Sequence, residues 1–313
     1  MSAGAPRPGT GASHPAPRRL LEKYGLRAKR SWGQNFLGDV GILDAIAALA
    51  VPRAGEPIVE LGAGLGHLTA RLVARGGRVV AVERDRDMAR VLRGELGDRI
   101  RLVEADAARL DVRALDAAGA DGRTAVVGNI PYHLTSPILF ALLDQADAVS
   151  RAVLLVQREV AERLAAAPGT KAWGLLSVLL QQRADVRIAR IVPPGAFHPP
   201  PKVESAVVVA EMRAGAPAAP DPARFRRLVK AGFAQRRKTL RNALEAARIA
   251  PRDALERGLA RAAVDPARRG ETLSVAEWEA LDRELAAQPG DAGPDDARPA
   301  NARPADARPG HPE

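Results

Sequence analysis

Asn129-Ile130-Pro131-Tyr132 follows an apolar run at 124–128. These residue types can handle an aromatic amine such as that of adenine. The lone pair of that amine is delocalised into its ring, so it is a poor nucleophile. The side-chain oxygen of Asn129 can accept one amine N–H and the Ile130 carbonyl the other. Both bonds favour a pyramidal nitrogen whose lone pair points at an electrophile. Pro131 fixes the turn. Tyr132, one of two tyrosines in the chain, offers a face on which a base can stack. No general base is needed before attack, because the amine becomes acidic only afterwards. A plain turn with a packed tyrosine would use the same residues without chemistry.

A second group surrounds Glu60-Leu61-Gly62-Ala63-Gly64-Leu65-Gly66. A strand entering a glycine-rich turn and then a helix lets backbone amides approach a ligand closely. Dinucleotide enzymes use the related G-x-G-x-x-G. Here the third glycine comes one residue early and an acid precedes the turn, which is similar to the S-adenosylmethionine loop of class I methyltransferases. Glu83 ends the next strand, about 20 residues on, where an acid can accept both hydroxyls of a ribose. Asp106 ends a third strand and can accept from the cofactor's adenine amine, or cap a helix.

Three further segments carry candidates. In Phe197-His198-Pro199-Pro200-Pro201-Lys202-Val203, Phe197 either clamps the second face of an extruded base or packs inside a rigid proline turn. Arg30-Ser31-Trp32-Gly33-Gln34-Asn35-Phe36-Leu37 precedes the first helix of the domain. Residues 224–241 hold eight Arg or Lys and no acid, while Phe225, Leu228, Val229 and Phe233 keep a helical apolar stripe. A phosphate-binding face would look like this, with Arg236, Arg237, Lys238 and Arg241 as its candidates. The net charge of +10 fits a nucleic-acid partner, or an arginine-rich composition alone.

The elements that must position these groups alternate. Strands are expected at 57–61, 78–82, 101–104, 124–127 and 152–156, with helices at 65–75 and 88–96. That order predicts a parallel sheet with helices on both faces. A late strand is expected at 205–211. The predicted fold is α/β, a Rossmann-like class I methyltransferase domain over 26–214. A linker at 215–220 leads to a small all-helical domain over 221–287. Residues 1–25 and 288–313 are rich in Pro, Gly and Ala and are expected to be disordered tails. The chain has no cysteine and scattered histidines, so no metal site is expected. No 18-residue apolar run or secretory signal is visible, and a cytoplasmic location is expected.

These motifs, in this order, resemble the ribosomal RNA adenine dimethyltransferases known as the KsgA/RsmA family, from about residue 29 to 285. Residues 30–37 look like that family's N-terminal signature; 235–242 and 265–273 look like its C-terminal ones. The resemblance implies S-adenosylmethionine as cofactor, contacted by Asn35, Leu37, Gly62, Glu83, Asp106 and Asn129. It implies a catalytic group of Asn129, Pro131, Tyr132 and Phe197. The implied reaction is N6,N6-dimethylation of two adjacent adenosines in the 3′-terminal hairpin loop of 16S ribosomal RNA. The implied partner is a nearly assembled 30S particle, met by a monomer. His133 departs from the Asn common at that position in relatives. One rival is the erythromycin-resistance type, which methylates large-subunit RNA; residues 235–242 favour the small-subunit reading. A non-catalytic RNA-binding assembly factor is opposed by the intact motif at 129–132. An NAD-dependent oxidoreductase is opposed by the glycine spacing.

Overall fold

The computed structural model describes residues 14–29, 32–215, 221–235 and 237–287. The tails expected at 1–13 and 288–313, the linker residues 216–220, and Arg30, Ser31 and Arg236 lie outside the described residues. In chain order the elements are α1 (Pro17–Lys23), β1 (Phe36–Leu37), α2 (Val40–Ala50), β2 (Pro57–Leu61), α3 (His67–Ala74), β3 (Arg78–Val82), α4 (Arg86–Leu96) and β4 (Arg101–Val103). There follow β5 (Thr124–Asn129), α5 (Thr135–Leu143), β6 (Val149–Gln157), α6 (Arg158–Leu164), α7 (Leu175–Arg183), β7 (Ala184–Val192), β8 (Phe197–His198) and β9 (Ser205–Met212). The chain closes with α8 (Pro222–Ala234), α9 (Leu240–Ala246), α10 (Arg252–Arg261) and α11 (Val275–Ala286).

Seven strands form one sheet in the order β4-β3-β2-β5-β6-β9-β7. Neighbours from β4 to β6 pair in parallel, and β9 runs antiparallel to both β6 and β7. The central strands are apolar on both faces because helices cover both. Ile58, Val79, Val127 and Val209 pack with Ile42, Ile46, Leu68 and Leu92 of α2, α3 and α4. Their sequence neighbours Val59, Val80, Val126 and Val208 pack on the other side with Ile138, Leu142, Leu164 and Leu180 of α5, α6 and α7. The expected strands are present, but the purely parallel expectation needs correction at β9.

β7 was not anticipated. It is an edge strand with exposed Asp185, Arg187, Arg190 and Ile191, so it lacks the apolar run that marks a central strand. The expected tail over 1–25 also needs correction where it is described. Residues 17–23 form α1, whose Leu20 and Leu21 are buried with Phe36, Leu65, Met88 and Val91. Three leucine and proline anchors suffice there despite the Pro/Ala-rich composition.

Helices α8 to α11 enclose their own apolar cluster, including Phe225, Leu244, Leu259, Trp278 and Leu281. Trp173, Val178 and Leu179 join it from the loop before α7 and from α7 itself. Gly232 is required by close approach: a Cβ there would lie 2.3 Å from Trp278 Cη2.

Candidate functional site

β3 and β5 lie on opposite sides of β2, so the chain turns away in both directions at the carboxyl ends of these strands. Open α/β sheets place ligands in that crevice. Here it holds a cavity of about 250 Å³. Asn35, Leu37, Gly62, Glu83, Asp106, Asn129, Pro131, Tyr132 and Phe197 all line it. The structure therefore brings together every cofactor and catalytic candidate read from the sequence. The basic candidates do not line it.

The glycine turn is held by the strand next door. The amides of Gly62 and Ala63 donate to the Val82 carbonyl at 2.8 and 3.2 Å. Gly62 and Gly64 adopt φ of +70° and +56°, the left-handed region that glycine enters without strain. A Cβ at Gly62 would meet only the Asn129 carbonyl, at 4.0 Å, so bare backbone faces the cavity.

Glu83 is buried, and its two oxygens accept from the amides of Gly64 (2.8 Å) and Asp85 (2.7 Å). Burial pushes its carboxyl above the usual carboxylate range, and those two amides oppose the shift. Each oxygen keeps a lone pair for a further donor. Asp106 caps the 3-10 turn at Ala107–Arg109 by accepting from Ala108 at 3.0 Å, and pairs with Arg84 at 3.2 Å. Both of its expected uses therefore compete for one side chain.

Asn129 ends β5. Its Nδ2 donates to the Asn35 carbonyl at 2.9 Å, which leaves Oδ1 as the acceptor available to a ligand. The Tyr132 hydroxyl meets Ser205 Oγ at 3.0 Å, which restrains the ring. The two-residue strands β1 and β8 pair Leu37 opposite Phe197. That pairing carries residues 160 positions apart to one wall of the cavity, and buries Phe197. His133 is exposed at the same wall and packs over Gly33, with its Nδ1 3.5 Å from where a Cβ there would sit.

Several positioning contacts have no counterpart in the sequence reading, even where their residues lie in a quoted motif. Lys29 Nζ binds Asp85 and Asp87, each at 2.8 Å, and Gln34 Nε2 binds Asp85 at 2.9 Å. These contacts lock the N-terminal signature to the loop that bears Glu83. Trp32 lies under the Arg84 guanidinium, 4.6 Å from ring centroid to Cζ. His14 Nε2 donates to the Leu65 carbonyl at 2.9 Å, and His67 Nε2 donates to the Pro15 carbonyl at 2.8 Å. Their only sequence signal was residue type, because their partners are backbone carbonyls.

The basic stretch divides. Arg224 is ion-paired with Asp282 at 2.8 Å, and Arg226 is paired with Asp144 while lying over the Phe140 ring. Arg227, Lys230, Arg237 and Lys238 are exposed, and Arg241 is half-buried. Two of the eight cations therefore hold the helices together and to α5's end. Among the described residues no helix is long and apolar enough to cross a membrane.

The family described as "Ribosomal RNA adenine dimethylase" matches residues 25–286. The chain is similar to "Ribosomal RNA small subunit methyltransferase A" of Anaeromyxobacter dehalogenans, 70% identical over 279 residues, covering 87% of this chain and 98% of that one. The protein of the same name from Myxococcus xanthus is 52% identical, covering 86% and 95%. Among solved structures, the 23S rRNA methyltransferase ErmE aligns with a TM-score of 0.61 at 28% identity, covering 80% of this chain and 100% of that one. A dimethyladenosine transferase from Plasmodium falciparum shares the fold, with a TM-score of 0.65 at 23% identity, covering 79% and 95%.

Proposed function

Because the chain belongs to the ribosomal RNA adenine dimethylase family, we propose that its cleft holds S-adenosylmethionine beside a target adenine, which Asn129 and Tyr132 orient. The chain is an S-adenosylmethionine-dependent methyltransferase acting on adenine of small-subunit ribosomal RNA; its relatives are named for methylating small-subunit ribosomal RNA, and its family for ribosomal RNA adenine. The large-subunit alternative is disfavoured, because the 23S enzyme is 28% identical while small-subunit relatives reach 70%.

The residues present fit the cofactor. A buried carboxylate with one unused lone pair per oxygen suits a pair of ribose hydroxyls, and bare backbone at Gly62 leaves room beside it. When bound, S-adenosylmethionine supplies an electrophilic methyl group. In our reading Glu83 accepts the ribose hydroxyls and Asp106 the adenine amine. Asn35 and Leu37 close the cleft from the β1 side. Asn129 Oδ1 and the Ile130 carbonyl accept the two N–H bonds of the target amine, which localises its lone pair. Tyr132 and Phe197 flank the base. The amine proton leaves to water after transfer, so no basic side chain is required. A second transfer needs the monomethylated amine to fit beside His133.

The observation that carries this reading is the Asn129–Asn35 bond, which holds the amide by its nitrogen and leaves its oxygen to accept. We further assign the target to two adjacent adenosines in the 3′-terminal hairpin loop, in an assembling 30S particle, with the enzyme acting as a cytoplasmic monomer. We also read 26–214 as the catalytic domain and 221–287 as an RNA-binding one using Arg236, Arg237, Lys238 and Arg241. The test incubates the enzyme and labelled cofactor with separated, unmethylated subunits, then identifies products by nuclease digestion and mass spectrometry. Dimethyladenosine in small-subunit RNA is expected. Label mainly in large-subunit RNA would reject the reading.

A further inference from the structure

β7 is parallel to β6, so its C-terminal end lies on the cleft side of the sheet. Val192, its last residue, sits opposite Ser205, the residue whose hydroxyl meets Tyr132. Three residues inside that end, the pairing with β9 slips by one position between Ile188 and Arg190. A bulge of this kind re-aims the side chains that follow it. Arg187 lies opposite Val209 and Arg190 opposite Val207, so the two arginines share one face. Regular alternation would have sent them to opposite faces. They stand two ladder steps apart, on the order of 7 Å.

Neither arginine has a partner among the described residues. By contrast, Arg78 of β3 and Arg123 just before β5 donate to the carbonyls of Gly55 and Val149, and Arg151 of β6 pairs with Glu211. Asp185, the acid on the same strand, is neutralised by Arg213. Beyond β8, Lys202 is exposed and likewise has no partner among the described residues, on the segment that returns to Ser205. The result is an uncompensated cationic edge that runs from the outer strand to the wall beside Tyr132.

We propose that Arg187, Arg190 and Lys202 form a second track for the substrate's RNA backbone, beside the base pocket and separate from the helical segment. Phosphate contacts position a nucleic acid without reading its sequence. A track along β7, which pairs with the strand that opens at Ser205, orients the nucleotides flanking the target. This rests on the RNA methyltransferase reading above. The competing use of charge on an edge strand is to block pairing with another chain's strand.

The test measures binding of unmethylated small-subunit RNA by the full chain across a salt series. It compares wild type with Arg187→Ala/Arg190→Ala and Arg187→Lys/Arg190→Lys. Both positions are exposed and unpartnered, so melting temperature and cofactor affinity by calorimetry should not move. Two lost phosphate contacts should flatten the slope of log affinity against log salt by about 1.4–1.8, with roughly tenfold or greater weakening at 0.1 M salt. The lysine pair should restore the slope, and in steady state the alanine pair should raise KM for RNA while kcat holds. Unchanged slope and KM in the alanine pair would overturn the track and leave the arginines as guards of the edge. If the wild type binds this RNA but transfers no methyl group, the parent reading fails, while the slope comparison still decides the track.

Discussion

The cleft and the helical segment handle charge in opposite ways. In the cleft, Glu83 is buried and already accepts two backbone N–H bonds, and the Asn129 amide is pinned to Asn35. Such groups are oriented before any ligand arrives, so little reorganisation remains at the moment of reaction. On α8 and the residues after it, Arg227, Lys230, Arg237 and Lys238 are exposed, while Arg224 is committed inward to Asp282. Exposed charges supply affinity that salt screens, whereas buried oriented groups supply geometry. On the proposed reading, catalytic precision belongs to the cleft and RNA affinity to cations outside it.

The largest expected effect breaks the cleft side of this contrast. Asn129→Ala should lower single-turnover methylation by about 10²–10³, the typical consequence of deleting one oriented hydrogen-bonding group. Affinity for RNA, which the proposed reading places on cations outside the cleft, should persist. Normal methylation in a variant with a normal melting curve would remove Asn129 from the chemistry. Next in size, Glu83→Ala should weaken cofactor binding by an order of magnitude or more. Hydrogen bonds to a charged group contribute about 1.5–3 kcal/mol each. Calorimetry that finds unchanged affinity in the folded variant would reassign the ribose to another residue.

The two regions also differ in how readable they were. The cleft was legible because its demands are local: left-handed backbone at Gly62 and Gly64, and an acid at each strand end. Even there, the double engagement of Asp106 by Ala108 and Arg84 could not be read, since Arg84 is set against it only by pairing of neighbouring strands. The basic segment was legible only as a sum of charges. Arg224 and Arg226 find Asp282 and Asp144, which lie 58 and 82 residues away in sequence. Nothing near them signals that they are spent on packing. α1 was hidden by a Pro/Ala-rich composition, and β7 by a bulge and exposed arginines that break the strand period.

A third, smaller effect separates the regions by stability. Gly232→Ala places a methyl group against the Trp278 ring, at 2.3 Å from Cη2 without relaxation. Overpacking of this kind costs about 1–3 kcal/mol. The disruption should fall on the helical segment, so RNA affinity should drop while calorimetric cofactor affinity stays. If both fall together, the helical segment is not an independent unit, and the boundary near 215–220 loses its meaning.

The smallest effect is a slope with pH, and it has opposite signs in the two regions. Glu60 lies at the base of the glycine turn, 2% exposed; burial, with a contribution from Glu83, pushes its carboxyl up from 4.5 to about 8. The folded state then holds a proton that the unfolded chain releases near 4.5. Its stabilising contribution is complete below that pH and is lost as pH rises towards about 8, by at most about 1.4 kcal/mol per unit. In the helical segment, Arg268 holds the Glu277 carboxyl down at about 2. That contribution is complete above 4.5 and is lost as pH falls towards 2. Glu60→Gln mimics the protonated side chain, so stability near pH 5 should barely change. Between pH 5 and 8, however, the variant should lose less stability than the wild type in chemical denaturation. Some slope should remain, because burial shifts Glu83 in the same direction. The acid limb below pH 4.5 should be the same in both proteins, since it belongs to Glu277 and to the other carboxylates held down by cations, Asp87, Glu95 and Asp147. Parallel curves across the whole range would show that Glu60 carries no proton in the fold, and that the buried carboxylate beneath the turn is held in its charged form.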